Sequence, residues 1–194
     1  MVETGVPACN GEGRRYLPAR LQGRVCDEPG YPARGDDMAL ELNIPGRGAV
    51  KLTKIIFDLN GTLTVDGRMR KETLSLLKKV AEVLEIYILT ADTLGSAMQI
   101  DWGSDIDVHI VSGENTSRAK IDFLELVGPL ETMAVGNGTN DAGMLEKAAL
   151  SIAVLGPEGC ALEALRAAEL VVRNIDDALC MILKPRRLIA SLRC

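Results

Sequence analysis

A short apolar run at residues 54–57 delivers a carboxylate, Asp58, straight into Leu59-Asn60-Gly61-Thr62-Leu63-Thr64. No other stretch constrains the chain as strongly. β-Branched and aromatic residues followed at once by a Gly-Thr turn read as a buried strand ending in a loop. In open α/β sheets, ligands and chemistry gather outside the carboxyl ends of the strands. A carboxylate placed there can attack phosphorus and carry a covalent aspartyl-phosphate. Asp-x-Asn-Gly also suits a plain turn, since Asn and Asp favour turns, so the rest of the chain must decide between the two.

Three further segments follow in an order that suits the chemical reading. Residues 86–89 form a second β-branched strand, ending in Thr90-Ala91-Asp92. Lys120 opens an amphipathic segment over residues 120–127. Residues 133–135 form a short strand that enters Gly136-Asn137-Gly138-Thr139-Asn140-Asp141 and then a helix. In this arrangement the chain resembles the haloacid dehalogenase (HAD) superfamily. It looks most like the phosphorylation domain of P-type ATPases and their stand-alone "soluble P-type ATPase" relatives, whose motifs read DKTGTLT, TGD, a lone Lys and GDGxNDxxxL. The likeness covers residues 54–191.

That resemblance implies a set of roles. Asp58 is the expected nucleophile and a Mg²⁺ ligand, with the Asn60 carbonyl a second ligand and Asn137 and Asp141 completing or supporting the metal site. Mg²⁺ takes oxygen ligands in octahedral geometry and usually keeps several waters, so few protein ligands suffice. Thr90 and Lys120 are expected to hold and neutralise the transferring phosphoryl group. Backbone N–H groups of Asn60, Gly61 and Ala91 would complete the cradle. Two positions depart from the family. Asn60 stands where most HAD phosphatases carry the Asp that protonates the leaving oxygen, help typically worth ~10²–10⁴-fold. Asn137 stands where GDGxND supplies a metal-binding Asp. Both changes weaken the site, and neither removes the nucleophile. A slow Mg²⁺-dependent phosphohydrolase is the leading expectation; a phosphate- or phosphoprotein-binding regulatory module is the alternative.

From residue 54 onward strands and helices alternate, which argues for an α/β fold with a doubly wound, mostly parallel sheet. Further strands are expected at 108–111, 151–154 and 170–172, and helices at 71–84, 160–168 and 175–183. In the first helix Leu74, Leu77, Ala81 and Leu84 share one face. Ahead of the sheet, residues 38–52 alternate around Pro45-Gly46-Arg47-Gly48 and read as a β-hairpin. Residues 1–37 are rich in Gly and Pro with few large apolar side chains, a composition expected of a disordered extension. The expected division is therefore 1–37 and a domain at 38–194.

Only 25 residues separate Thr64 from Thr90, and there is no room for a cap domain before Lys120. P-type ATPases insert a large nucleotide-binding domain between these motifs, so ATP-driven transport is excluded. A capless site is open; it suits a bulky phosphate or closure by a neighbouring subunit in a homo-oligomer. The chain has 22 Lys and Arg against 27 Asp and Glu, a net charge of −5, which gives no cause to expect a nucleic-acid or anionic-membrane partner. No apolar run approaches the ~20 residues of a membrane span, and the start lacks a signal-peptide pattern. Five Cys show no CxxC spacing, and His109 is the single His. Reduced thiols in the cytoplasm are the expectation.

Overall fold

The computed structural model describes residues 38–91, 97–111 and 115–194. The expected extension at 1–37 and Asp92 lie outside the described residues.

Six parallel strands form the main sheet: β3 (Lys54–Asp58), β4 (Glu85–Thr90), β5 (Ile106–Ile110), β6 (Thr132–Gly136), β7 (Leu150–Val154) and β8 (Leu170–Val172), in the order β5-β4-β3-β6-β7-β8. Strand β3 lies at the centre. The chain first builds outward through β4 and β5, then returns to the other side of β3 with β6. The order therefore reverses between β3 and β6, and this switch point is where a doubly wound sheet opens a crevice. Asp58 ends β3, and Gly136 ends β6 beside it.

Because side chains alternate across a strand, each strand feeds two cores. On one face, Ile55, Phe57, Ile86, Ile88, Met133 and Val135 pack with α1 (Lys71–Val80), α5 (Ile175–Ile182) and α6 (Pro185–Leu192). On the other, Ile56, Tyr87, Leu89 and Ala134 pack with α2 (Thr116–Val127), α3 (Ala142–Lys147) and α4 (Leu162–Ala167). β3 is buried on both faces, which is why its sequence is a continuous apolar run rather than an alternating one. Each fully buried Leu or Ile contributes roughly 1.5–3 kcal/mol.

The hairpin is present as β1 (Leu40–Ile44) and β2 (Gly48–Leu52), paired antiparallel. Its inward Leu40, Leu42, Ile44 and Leu52 join the first core. Arg47 in its turn reaches Glu169 at 2.8 Å and the Ala149 carbonyl at 2.7 Å, strapping the hairpin to the far side of the sheet.

Several boundaries differ from the sequence reading. Helix α2 begins at Thr116, not Lys120, because Asn115 caps it by accepting from the Arg118 N–H at 2.9 Å. Helix α1 stops at Val80, and the buried residues are Thr73, Leu77 and Val80, with Leu74 only half-buried. Strand β5 sits at 106–110 rather than 108–111; Val111 has left the strand and donates to the Thr90 carbonyl at 2.8 Å. Helix α4 starts at Leu162 instead of Cys160, since the Ala161 N–H is held by the Asn137 carbonyl at 2.8 Å. Helix α6 was not expected, although Pro185 at its first turn is a recognisable start signal.

Candidate functional site

The site lies at the switch point and is assembled from the ends of β3, β4 and β6, helix α2 and the loop between β7 and α4. Asp58 emerges from β3 almost fully buried. Lys120 comes from the second turn of α2 and is 0% exposed, although a lone helical Lys is normally solvated. Its ammonium donates to Asp58 Oδ1 at 2.6 Å and to Asp141 Oδ1 at 2.5 Å. Two carboxylates thus bracket one cation, leaving a net charge of about −1 at a buried position when both are ionised.

Asp141 is fixed by its own loop. Its Oδ2 accepts from the Asn137 N–H at 3.0 Å and the Gly138 N–H at 2.9 Å. Gly136 makes that approach possible: a Cβ there would lie 2.6 Å from Asp141 Cγ. Both oxygens of Asp141 are therefore engaged, one by Lys120 and the other by the β6 loop.

The charge imbalance appears in the titration of the nucleophile candidate. Burial, and then the charge of Asp141, raise Asp58 from 3.8 to about 6, with Lys120 and the Thr62 hydroxyl pulling the other way. Burial also works against the Lys120 ammonium, but Asp58 and Asp141 outweigh it and hold the group above 10.5. Lys120 is therefore held positive, and Asp58 ionises less readily than an ordinary carboxylate.

The loop after β3 folds back on itself. Gly61, at φ 80°, donates its N–H to the Thr64 carbonyl at 3.0 Å, so this N–H is already committed within the loop. The Thr64 hydroxyl contacts Asn60 Oδ1 at 3.3 Å. Residues 65–68 close a tight hairpin turn, with Asp66 and Gly67 both at positive φ and the Asp66 N–H donating to Glu158 at 2.8 Å. Asn137 is equally occupied. Its Oδ1 accepts from the Thr62 hydroxyl at 2.9 Å and its Nδ2 donates to the Gly159 carbonyl at 3.1 Å. Thr90 is buried at the end of β4, and Ala91 follows it, exposed.

Asp58, Lys120, Asn137 and Asp141 thus lie together, with Asn60 and Gly61 on the adjoining loop. Sequence reasoning missed Thr62, which touches both Asp58 and Asn137, and the β7–α4 loop at 155–161, which carries Gly159 and Glu158. Among the described residues no group of three or more His, Cys, Asp or Glu side chains could hold a metal. The donors that suit a hard divalent ion are the Asp58 carboxylate and the Asn60 carbonyl, and the uncompensated negative charge around Lys120 favours such an ion.

No protein-family model matches the chain. Among curated proteins it is similar to two uncharacterized proteins of Methanocaldococcus jannaschii. MJ0073 is 41% identical over 61 residues, 31% of this chain and 66% of that protein, so the match spans a little under two thirds of its length. MJ0072 is 52% identical over 42 residues, 20% of this chain and 89% of that protein. Among solved structures, it is similar to the cobalt-bound deoxy-D-mannose-octulosonate 8-phosphate phosphatase YrbI of Haemophilus influenzae. The TM-score is 0.56 at 18% identity, covering 69% of this chain and 88% of that one. A haloacid dehalogenase-like hydrolase of Streptococcus pneumoniae, SP0104, gives 0.53 at 13% identity, covering 66% and 97%. The chain belongs to one family with MJ0072, and its fold is that of the HAD phosphatases.

Proposed function

We propose that the chain is a HAD-type phosphohydrolase that works through an aspartyl-phosphate on Asp58. The observation that carries the reading is the fully buried Lys120 held between Asp58 and Asp141 at the sheet's switch point. A lysine held there at such desolvation cost can balance negative charge that develops beside it.

Asp58 attacks phosphorus with one carboxylate oxygen, and the bond from phosphorus to the leaving oxygen breaks. Asn60 has no proton of suitable acidity to give, so the departing oxygen takes one from water or leaves as a stable anion. Water then attacks the phosphoryl group, the bond to Asp58 breaks, and phosphate is released. Lys120 would balance charge throughout, and Thr90 would donate to a phosphoryl oxygen. An ionised Asp58 beside Asp141 would repel a phosphate dianion, so a divalent cation is required. Mg²⁺ held by the Asp58 carboxylate, the Asn60 carbonyl and water would supply that charge compensation.

The finer likeness to soluble P-type ATPases rests on the motif order and on the non-carboxylate at Asn60. It favours acyl and aryl phosphates, whose leaving groups need no proton. Free thiols at Cys160, Cys180 and Cys194 suit a reducing cytoplasmic setting, and among the described residues no helix is long and apolar enough to cross a membrane. A second reading, a phosphate-binding regulatory module, draws on Asn60, whose amide cannot act as acid or base. Turnover of p-nitrophenyl phosphate and acetyl phosphate, with and without Mg²⁺ and beside Asp58→Ala, decides between them. Turnover undiminished in Asp58→Ala defeats the phosphoenzyme, and phosphate binding without turnover favours the module.

A further inference from the structure

Asn137 occupies the position at which the motif would supply a metal-binding acid, yet it behaves differently in this fold. A carbonyl can only accept a hydrogen bond, so the Gly159 carbonyl at 3.1 Å fixes which end of the amide is nitrogen. The oxygen must then face the Thr62 hydroxyl, and it does so at 2.9 Å. The Asn137 carbonyl takes the Ala161 N–H at 2.8 Å, and its own N–H goes to Asp141. The fit around it is close: a Cβ on Gly61 would lie 2.5 Å from Asn137 Nδ2. One residue thus joins the nucleophile loop, the β6 loop and the β7–α4 loop. Each of its polar atoms is used in doing so.

We propose that Asn137 is a positioning residue and not a metal ligand: its amide clasps the nucleophile loop to the β7–α4 loop and holds the Thr62 hydroxyl beside Asp58. An amide suits this place because the task needs one donor and one acceptor back to back. A carboxylate would turn an acceptor toward the Gly159 carbonyl, lose that bond and drive the two loops apart. The Asp66–Glu158 bond at 2.8 Å joins the same two loops further out, so the clasp is the inner of two ties. The inference rests on the phosphohydrolase reading for its kinetic consequence but not for its structural one.

The test compares wild type with Asn137→Asp, Asn137→Ala, Thr62→Val and Thr62→Ser in two measurements. In hydrogen–deuterium exchange without metal, Asn137→Ala and Asn137→Asp should speed exchange in peptides covering 59–68 and 155–161 and leave β3 and β4 protected. In Mg²⁺-dependent turnover of p-nitrophenyl phosphate, Asn137→Asp and Thr62→Val should each lower kcat by ~10-fold through misplacement of the nucleophile, with KM little changed. Thr62→Ser, which keeps the hydroxyl, should stay near wild type, and Thr62→Val combined with Asn137→Asp should fall little below either alone. The half-saturating Mg²⁺ concentration should be unaltered in Asn137→Asp. A several-fold lower Mg²⁺ requirement with turnover retained would identify a metal ligand and overturn the proposal, as would unchanged exchange in both loops. If wild type itself shows no turnover, the phosphohydrolase reading fails, and the exchange data alone then decide the clasp.

Discussion

Replacing Asp58 by Asn is expected to stabilise the protein while abolishing its chemistry. Burial, with Asp141 second, raises the Asp58 pKa from 3.8 to about 6. The folded state therefore prefers the neutral acid. The stability tied to that proton is fully present below the unfolded value of 3.8 and is lost as pH rises through about 6. At pH 7.5 the folded chain holds an ionised Asp58 at a cost that the shift puts at about 3 kcal/mol as an upper bound. Asn keeps the shape, still offers an oxygen to Lys120 and never ionises. Lys120 then faces Asp141 one to one. Part of the gain is surrendered, because a neutral amide is a weaker acceptor for an ammonium than a carboxylate. The expected net gain is about 1–2 kcal/mol at pH 7.5, or roughly 2–8 °C in Tm for a domain of this size.

Urea unfolding of both proteins at pH 4.5, 6 and 7.5, with EDTA present to exclude divalent ions, measures the difference directly. Groups other than Lys120 and Asp141 titrate alike in the two proteins, so the comparison isolates Asp58 together with these two partners. The gap should be largest at pH 7.5 and shrink toward pH 4.5. A variant less stable than wild type at pH 7.5, or a gap independent of pH, would refute the claim that Asp58 is held against its own ionisation.

Three more outcomes follow from the same geometry. Lys120→Met leaves two buried carboxylates without their cation and should cost about 3–5 kcal/mol at neutral pH, read by urea unfolding, together with all turnover. Asn60→Asp restores a proton donor and should raise hydrolysis of alkyl phosphates by ~10–10³-fold; no gain while Asp58 stays essential would show that residue 60 does not face the leaving group. His109 is buried between Tyr87 and Phe123, with neither ring nitrogen hydrogen-bonded among the described residues. Burial lowers its pKa below 6.5 against a smaller upward pull from Asp107. A group so depressed loses stability as pH falls through 6.5, so His109→Phe should flatten that acid-side decline, as checked by Tm between pH 5 and 7.5.

What the sequence disclosed follows from which forces are local. The β3 run is apolar at every position because both faces are covered, and Asp58 interrupts it abruptly, so strand and site are announced together. The hairpin was legible because Leu40, Leu42 and Ile44 alternate and a Pro-Gly turn follows. The start of α2 was missed because its signal is one side chain: Asn115 looks like any loop residue until its oxygen meets the Arg118 N–H. The turn at Asp66-Gly67 carried a strong local cue, a two-residue loop with both residues at positive φ, but the flanking strands are too short to show periodicity. The partners of Asn137 were beyond reach for a different reason. Thr62 and Gly159 lie 75 and 22 residues away, and nothing in a Gly or a Thr marks it as one half of a long-range hydrogen bond.

The cost of ionising Asp58 also bears on why the nucleophile sits on β3 rather than on a loop. A carboxylate buried enough to be unfavourable when charged can relieve that penalty by moving toward water. A mobile loop would allow the movement, and the pKa would return to its ordinary range. β3 prevents it: the strand pairs with β4 through Asp58 itself and with β6 up to Phe57, and Ile55, Ile56 and Phe57 are fully buried behind it. Withdrawing Asp58 would expose part of that apolar run, at roughly 1.5–3 kcal/mol for each large side chain. This matches or exceeds the penalty of about 3 kcal/mol that withdrawal would relieve. The central strand is thus a place where burial of neighbours can hold an unwilling carboxylate against its preference for water. Phosphoryl transfer to that carboxylate would move negative charge outward onto the phosphoryl oxygens, where Lys120 and a divalent cation would have to balance it.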